Sequence, residues 1–401
     1  MSGGVAGLSF SADDVSYLRS EAGAEALAAV AKFELTGTTR IADISAARAR
    51  FGGRAPILVE TTLLRRRATH KLAGLCGISD WLFTDEALQQ ATAAPVALHR
   101  AKRLAGRVVH DVTCSIGTEL AALRGSASRT LGSDIDPVRL AMARHNLGAD
   151  ADLCRADALR PVTREVAVLV DPARRGNGRR RWRPGDYRPG LDRLLDTYRG
   201  RDVVIKCSPG IDFDQLGQLG FDGEIEVTSY RGSVREACLW SAGLAGQGVR
   251  RRASIIDGAK QVTQITSVDP DDCPVRPAGR WIVDPDGAVV RAGLVRHYGA
   301  RYGLWQLDPD IAYLSGNQLP PTVRGFEVLE QLAFDERRLR RALTTLDCGA
   351  LEILIRGVHV DPDALRRRLR LRGGRSLSVV IARIGSGAAG RATAFVCRPS
   401  R

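Results

Sequence analysis

Paired cysteines and long apolar runs are both missing from this sequence of 401 residues. Its eight cysteines stand apart, with no C-x-x-C pair, which argues against a zinc ribbon and against a disulfide framework. No apolar run reaches the roughly 18 residues that a membrane-spanning helix needs, and the N-terminus lacks the basic-then-apolar order of a signal peptide. We therefore expect a soluble cytoplasmic protein without membrane association. The six histidines show no metal-ligand spacing, so no metal site is predicted.

Acidic residues are scarce relative to basic ones. The chain has 45 Asp and Glu against 59 Lys and Arg, most of them arginine, and a formal net charge of +14. A positive field of this kind favours polyanions, nucleic acid first and anionic membranes second. Because no amphipathic membrane helix is evident, the charge predicts a nucleic-acid partner. No obligate protein partner is predicted.

The sequence periodicity divides the chain into four parts. Residues 1–104 have the apolar spacing of helices, and Ser11 is placed to cap the first one. Residues 105–245 alternate short β-branched runs with helical stretches, which is typical of a doubly wound α/β sheet, and they end in a predicted hairpin. Residues 246–325 are rich in Asp, Pro and Gly and predict strands joined by tight turns. Residues 326–401 read as an α+β domain.

Acidic residues follow successive predicted strands of the second part. In "DVTCSIGTELAAL", Asp111 ends a strand, Thr113 and Ser115 stand in a turn, and Gly117 opens a helix. In "GSDIDPVRLAMARHN", Asp134 ends the next strand, where a carboxylate can accept both hydroxyls of a ribose. Ligands of such sheets bind outside the carboxyl ends of the strands. The order of these residues therefore predicts a nucleotide-type site.

Two further acids complete the series. Asp157 in "CRADA" is placed to accept from an exocyclic amine, and Asp171 ends the fourth strand in "VLVDPARRG". The turn at Gly117 is not a G-x-G-x-x-G loop, so a pyrophosphate cradle is not indicated. A nucleoside cofactor without phosphates fits the pattern better.

These four motifs resemble motifs I to IV of the class I S-adenosylmethionine-dependent methyltransferases. The wider set "EALQQATAAPVALHRAKRLA", "IKCSPGIDF", "REACLW", "GLWQLDPDIAYLSG" and "LEILIRGVHVDPDALRRRLRLRG" resembles the bacterial members that carry a C-terminal THUMP-like domain. The resemblance covers approximately residues 60–400. It implies a Rossmann-like methyltransferase sheet, an N-terminal helical region, a C-terminal α+β THUMP-like domain and S-adenosyl-L-methionine as the cofactor.

The resemblance also implies roles for individual residues. Asp111 and Gly117 would hold the methionine moiety, Asp134 the ribose and Asp157 the adenine. Thr113 and Ser115 stand where the superfamily often has glycines, which bears on how closely the backbone can approach the cofactor. Asp171 would lie where cofactor and substrate meet. A helix carrying Gln89, Gln90, Ala91 and Thr92 would cover the cofactor.

The "DPARR" loop predicts how the substrate is engaged. Asp171 can accept a hydrogen bond from a target nitrogen, and Pro172 fixes the turn. Arg174 and Arg175 suit bidentate contact with phosphate. The following "GNGRRRWRPGDYR" predicts a mobile basic loop with Trp182 and Tyr187 as stacking groups for an unpaired base. We therefore expect an enzyme that methylates a base of structured RNA, tRNA or rRNA, by direct transfer.

Three alternatives stay open. Cys207 and Glu236 fall where RNA uracil-5-methyltransferases carry a nucleophilic cysteine and a glutamate, which would mean covalent catalysis at a pyrimidine. The acceptor could instead be a protein or a small molecule. The chain could also be a non-catalytic RNA-binding protein that retains the cofactor fold.

The C-terminal motif predicts one strongly basic helix. Leu365, Leu369 and Leu371 would face inward. The exposed face would carry Arg366, Arg367, Arg368, Arg370 and Arg372. Resemblance to a THUMP-like module implies that this face docks RNA, and phosphate contacts of this kind position a substrate without specifying its sequence.

Overall fold

The computed structural model describes residues 8–174, 183–320, 323–385 and 390–400, and the chain forms two compact units. The first unit consists of Met1–Tyr230, Arg235–Gly246 and Ile256–Gln261. The second unit consists of Arg231–Val234, Gln247–Ile255 and Val262–Arg401. The finer division into four parts stays a prediction.

Helices alone precede the first strand in the described part of the first unit. They are α1 Ala12–Leu18, α2 Glu21–Val30, α3 Arg40–Phe51, α4 Ala55–Lys71, α5 Asp85–Gln90 and α6 Ala94–Arg103. Ser11 caps α1 as expected, because its hydroxyl accepts from the backbone N–H of Asp14 in a capping box. Buried apolar side chains of these helices, such as Leu58 and Leu64, join one core with the sheet that follows.

The strands and helices of the first unit then alternate along the chain. They are β1 Val108–Asp111, α7 Thr118–Leu123, β2 Arg129–Asp134, α8 Pro137–Leu147, β3 Asp152–Arg155, β4 Ala167–Val170, β5 Ala173–Arg174, β6 Tyr187–Arg188, α9 Leu191–Thr197, β7 Val203–Cys207, α10 Phe213–Gln218, β8 Gly223–Tyr230 and β9 Ser233–Ser241. The main sheet includes the run β3-β2-β1-β4-β7-β9-β8. Its first five strands are parallel, and β9 is antiparallel to β7.

This order brings the predicted site residues to one edge. The crossover between β1 and its two neighbours β2 and β4 makes the switch point where α/β sheets bind ligands. Strand β4 is fully buried because all of its four residues are apolar, and Asp171 follows directly after it. The expected doubly wound sheet is therefore confirmed.

The second unit contains a separate mixed sheet. The elements that follow β9 along the chain are β10 Arg251–Ile256, β11 Val262–Thr266, β12 Trp281–Val283, α11 Gly287–Ala292, α12 Val295–Arg301, β13 Trp305–Asp308, β14 Ile311–Gly316, β15 Gly325–Ala333, α13 Glu336–Thr345, β16 Cys348–Arg356, α14 Pro362–Leu369, β17 Arg375–Ile384 and β18 Arg391–Pro399. The sheet order is β13-β14-β12-β15-β18-β17-β16. Strands β16 and β17 are parallel, while β18 is antiparallel to β17 and β15.

Helix α14 is shorter than the sequence suggested. Asp361 caps its start, and Leu365 and Leu369 are buried as expected. The helix ends at Leu369, since Arg370 takes a left-handed φ of 48° and the chain turns toward β17. Gly373 then lies so close to Asp347 that an added Cβ would stand 2.2 Å from its carbonyl oxygen. Arg370 and Arg372 therefore lie beyond the helix on which we had expected them.

Candidate active site

An open pocket lies at the carboxyl ends of β4 and β7. It encloses about 740 Å³, including open solvent at its mouth. Its walls include Asp171, Pro172, Cys207 and Glu236, so four of the five residues predicted for catalysis share one cavity. The fifth, Arg174, belongs to the short strand β5, and its side chain lies outside the described part of the structure.

A chain of paired charges runs from this pocket into the protein. Lys206 Nζ donates to Asp171 Oδ2 at 2.5 Å and to Glu119 Oε1 at 2.9 Å. Arg100 donates to the same Glu119 oxygen at 2.7 Å and, through its other terminal nitrogen, to Glu236 Oε1. Only the Asp171 side chain is substantially exposed, at 39%. Each of these five side chains is therefore paired with at least one side chain of opposite charge, which offsets the free-energy cost of burying charge.

These contacts keep Glu119 and Lys206 ionised. Burial disfavours the Glu119 carboxylate, but Arg100 and Lys206 outweigh burial and lower the pKa of Glu119 to about 2. Burial also disfavours the charge on Lys206, yet the carboxylates of Asp171 and Glu119 prevail and raise the pKa of Lys206. The Asp171 carboxylate therefore faces a fixed ammonium group.

Lys206, Glu119 and Arg100 were not among the site residues predicted from the sequence. Two features of the sequence do point to Lys206 and Glu119. "VVIKC" has a charged residue inside an otherwise apolar strand, and "TELAAL" has a charged residue on a buried helix. Glu119 and Lys206, which are paired in the structure, are 87 residues apart in the sequence. Only the folded sheet brings these side chains together.

The first predicted cofactor turn is tied to the end of β4. Asp111 is buried, and its Oδ1 accepts from the backbone N–H of Thr113 at 3.1 Å. Thr113 Oγ1 accepts in turn from the backbone N–H of Asp171 at 2.7 Å. Burial first, and then the nearby Glu119 carboxylate, raise the pKa of Asp111 to about 8. Thr113 thus links the turn after β1 to the proposed catalytic acid.

The rest of this turn includes two residues in the left-handed backbone conformation that glycine favours. Ser115 takes a left-handed φ of 48°, although it is not glycine, and its N–H donates to Asp134 Oδ2 at 2.8 Å. Gly117 has a φ of 88°, and a Cβ there would lie 2.7 Å from Leu147. Ser115 therefore keeps the conformation for which the superfamily often uses glycine, at some cost in backbone strain.

Asp134 and Asp157 lie at the expected strand ends. Asp134 is half-buried, and Ile135 beside it leaves 64% of its surface exposed. Asp157 is exposed and accepts from the backbone N–H of Leu159 at 2.9 Å. These residues fit the nucleoside part of S-adenosylmethionine, with a carboxylate for the ribose beside an apolar surface for a base. Their individual roles stay predictions.

The segment expected over the cofactor borders the pocket. Gln89 and Gln90 end α5, whereas Ala91 and Thr92 lie in a break before α6 rather than on one continuous helix. All four line the pocket. Lys71 Nζ holds the end of α5, because it donates to the carbonyl of Leu88 and to that of Gln89, both at 2.7 Å.

The arginine-rich loop after β5 is described only in part. Arg175 and Trp182 lie outside the described residues, as does the sequence between them. Tyr187 was expected to be a stacking group of a mobile loop. It is buried instead, and its hydroxyl accepts from the backbone N–H of Ser208 at 2.8 Å.

Comparison with known proteins agrees with this geometry. Residues 323–399 match the family model "THUMP domain-like". Two Mycobacterium tuberculosis proteins, each named as an uncharacterised S-adenosylmethionine-dependent methyltransferase, are 75% identical over 360 residues, which is 88% of this chain and 100% of theirs. This chain belongs to the S-adenosylmethionine-dependent methyltransferases. The expected cofactor and enzyme class are thereby confirmed.

A solved structure supports the fold of this methyltransferase. A protein of Porphyromonas gingivalis assigned as a methyltransferase superposes with a TM-score of 0.72 at 18% identity, over 98% of this chain and 100% of its own. Together with the THUMP-like match, this confirms the class I sheet with its helical N-terminal region and its C-terminal α+β domain. Among the described residues, no helix is long and apolar enough to span a membrane, and no group of side chains is placed to hold a metal ion.

Proposed function

We propose that this methyltransferase methylates a base of structured RNA, tRNA or rRNA, by direct transfer to a nitrogen. The observation that carries the proposal is the Asp171 carboxylate, held by Lys206 at the end of β4 and open to the pocket. S-adenosylmethionine supplies an electrophilic methyl group on its sulfonium sulfur. The remaining requirement is a positioned nucleophile, and positioning accounts for much of the acceleration available to such a transfer.

Asp171 is suited to orient an acceptor nitrogen. Lys206 binds its Oδ2, which leaves Oδ1 to accept a hydrogen bond from an N–H of the acceptor. The carboxylate also stabilises the positive charge that develops on the nitrogen as the methyl group leaves the sulfonium sulfur, and it can take the N–H proton that the methylated nitrogen then releases. Pro172 is buried and restricts the backbone directly after the acid.

The contacts of Glu236 favour direct transfer over covalent catalysis. Cys207 does line the pocket, so a thiolate attack has the required location. The glutamate that would remove the C5 proton, however, is bound by Arg100 and accepts from the thiol of Cys238 at 3.3 Å. These contacts indicate a structural role for Glu236, as the carboxylate that balances the buried charge of Arg100.

The second unit supplies support for an RNA acceptor. Helices α13 and α14 pack on the same face of its sheet, since Leu339 and Leu365 share one apolar cluster. In the described residues, α13 exposes Arg337, Arg338, Arg340 and Arg341 without a carboxylate partner. Of these two helices, only α14 was predicted from the sequence to dock RNA. These arginines, the THUMP-like match and the net charge of +14 all favour a polyanion.

The experiment that tests this function follows a labelled methyl group. Purified protein is incubated with S-adenosylmethionine labelled in the methyl group and with separate RNA, protein and small-metabolite fractions from a bacterial lysate. We expect label in structured RNA, and no label when Asp171 is replaced by alanine. Label in the protein or metabolite fraction alone would reassign the acceptor, and no label in any fraction would favour an RNA-binding protein without catalysis.

A further inference from the structure

Two cationic side chains line the pocket besides Lys206. Lys71 comes from the end of α4, and Arg235 comes from β9. Both line the pocket together with Asp171 and Glu236. Within the described part of the chain, neither cation forms an ion pair, whereas each of these two carboxylates is bound by a buried cation of its own.

Lys71 is half-buried and retains donor capacity. Two of its three N–H groups are used by the carbonyls of Leu88 and Gln89. Burial first, and then the positive charges of Lys206, Arg67 and Arg235, lower the pKa of Lys71 to about 8. Lys206 and Arg67 are each paired with a carboxylate, whereas Arg235 has none among the described residues, so an anion in the pocket would relieve the repulsion between Arg235 and Lys71.

Arg235 presents a guanidinium group at the same pocket. Its side chain is exposed, and its guanidinium carbon lies 5.9 Å from the centre of the Tyr230 ring. A guanidinium group carries a fork of donors that matches two phosphate oxygens. Arginine and lysine together provide the donor set of a phosphate site.

The pocket includes the segment expected over the cofactor, but not the residues predicted to hold the methionine moiety and the ribose. Its walls include Asp171 but none of Asp111, Ser115, Gly117 and Asp134. The carboxylate of the cofactor is consequently a poorer match for these two cations than an acceptor group is. The acceptor must approach Asp171, which shares the pocket with both cations.

We propose that Lys71 and Arg235 bind the phosphate of the acceptor nucleotide and so place its base against Asp171. The proposal rests on the proposed function, because it specifies how the same pocket takes a nucleotide of RNA. An acceptor that has no phosphate or other anionic group does not fit this proposal. It also assigns Lys71 a second contribution, since the same ammonium group holds the end of α5 over the pocket.

The kinetic test compares Arg235→Ala with the wild type on the RNA that accepts the label. A lost charge-assisted contact should raise KM for RNA by about tenfold or more, with kcat and S-adenosylmethionine affinity nearly unchanged. The slope of log affinity against log salt should become shallower by roughly 0.7 to 0.9. Arg235→Lys should recover part of the affinity. Lys71→Met should also raise KM, and normal thermal unfolding would show that the variant is folded.

Arg124→Ala is the matched control. Arg124 is an exposed arginine at the end of α7 that does not line the pocket, so its loss should leave KM and the salt slope unchanged. An unaltered KM and salt slope in Arg235→Ala would overturn the phosphate site and leave the proposed function standing. Weaker S-adenosylmethionine binding in Arg235→Ala, with unchanged KM for RNA, would instead assign the cation to the cofactor.

A binding measurement keeps the test independent of RNA methylation. The protein is saturated with S-adenosylhomocysteine and titrated with the four nucleoside 5′-monophosphates and with the four nucleosides. At least one monophosphate should bind about tenfold more tightly than its nucleoside, and Arg235→Ala should remove that difference. Equal binding of every pair would overturn the phosphate site even if RNA is methylated. A preserved difference with no RNA methylation would indicate another phosphorylated acceptor.

Discussion

Asp171 and Lys206 form an ion pair that joins the carboxyl ends of two neighbouring parallel strands. Val170 of β4 is paired with Ile205 of β7, so the next residue of each strand meets its counterpart just beyond that register pair. Lys206 Nζ lies 2.5 Å from Asp171 Oδ2 and is itself held by Glu119. The proposed catalytic carboxylate is thus fixed by strand register rather than by the loop that follows it.

Removing this support should slow methyl transfer. The double variant Lys206→Met/Glu119→Gln removes one positive and one negative charge, so no buried charge of this pair is left unmatched. Asp171 would keep its carboxylate but lose the group that holds it. We expect kcat to fall by about tenfold to a hundredfold, while S-adenosylmethionine affinity changes little.

Steady-state kinetics and calorimetry measure these two quantities, and thermal unfolding checks that the variant is folded. Lys206→Arg is the conservative companion, because it keeps a cation between the two carboxylates and should retain more activity. A double variant with normal kcat would show that Asp171 needs no support from Lys206.

The contacts of Glu119 with Lys206 and Arg100 also make the free energy of unfolding decrease at acidic pH. Glu119 has a pKa of about 2 in the folded protein and an ordinary value of 4.5. Because the unfolded chain takes up the proton first, the stabilisation is complete above pH 4.5 and is lost as the pH falls toward 2. Over this window the first unit should lose about 3 kcal/mol from this group.

Denaturant unfolding at several values of pH measures this loss. The double variant Lys206→Met/Glu119→Gln lacks the carboxylate, so its free energy of unfolding should fall less steeply over the same window. Parallel curves for the wild type and the variant would contradict the low pKa of Glu119.

The sequence was sufficient where chemistry follows local pattern. Asp171 follows an apolar run, and Asp111 and Asp134 end short stretches with β-branched or apolar residues, so their strand ends could be predicted. The partners of Asp171 could not, because Lys206 and Glu119 reach it only through strand order and register. The break after Gln90 was missed because alanine-rich sequence favours a continuous helix, whereas Pro95 and the Lys71 contact with α5 favour an interruption.

The ribose assignment predicts a loss of cofactor affinity. Asp134→Ala removes the half-buried carboxylate expected to accept the ribose hydroxyls, and it frees the N–H groups of Ser115 and Asp136 that this carboxylate holds. We expect S-adenosylmethionine to bind at least about tenfold more weakly by calorimetry. Asp134→Asn retains one acceptor oxygen and should lie between the wild type and Asp134→Ala. Wild-type affinity in the alanine variant would remove the ribose assignment.

The basic helices of the second unit predict unequal roles for neighbouring arginines. Arg368 is bound by Glu336 through two hydrogen bonds of 2.9 and 2.7 Å, whereas Arg367 is exposed and has no carboxylate partner among the described residues. Arg367→Ala should make the salt slope of RNA binding shallower by roughly 0.7 to 0.9, the value for one phosphate contact. Arg368→Ala is the matched control and should change the slope less. Equal slopes for Arg367→Ala and the wild type would exclude Arg367 from the RNA interface.

Two single variants, Asp171→Ala and Cys207→Ser, distinguish direct transfer from covalent catalysis in this pocket. In direct transfer Asp171 orients the acceptor nitrogen, so Asp171→Ala should lower kcat by roughly 10² to 10⁴, with nearly unchanged cofactor affinity. Cys207→Ser should then retain most of the activity, because Cys207 would only pack against the end of β7. Under covalent catalysis serine could not replace the thiolate, and activity would vanish.

A trapping experiment provides the positive control for the covalent route. RNA that contains 5-fluoropyrimidine would accept the thiolate at C6 and the methyl group at C5, but it has no C5 proton to release, so the protein would stay attached to it. We expect no such adduct with the wild type on denaturing gels. An adduct that disappears in a folded, cofactor-binding Cys207→Ser variant would reverse the assignment, because it would make Cys207 the nucleophile and the product a 5-methylpyrimidine.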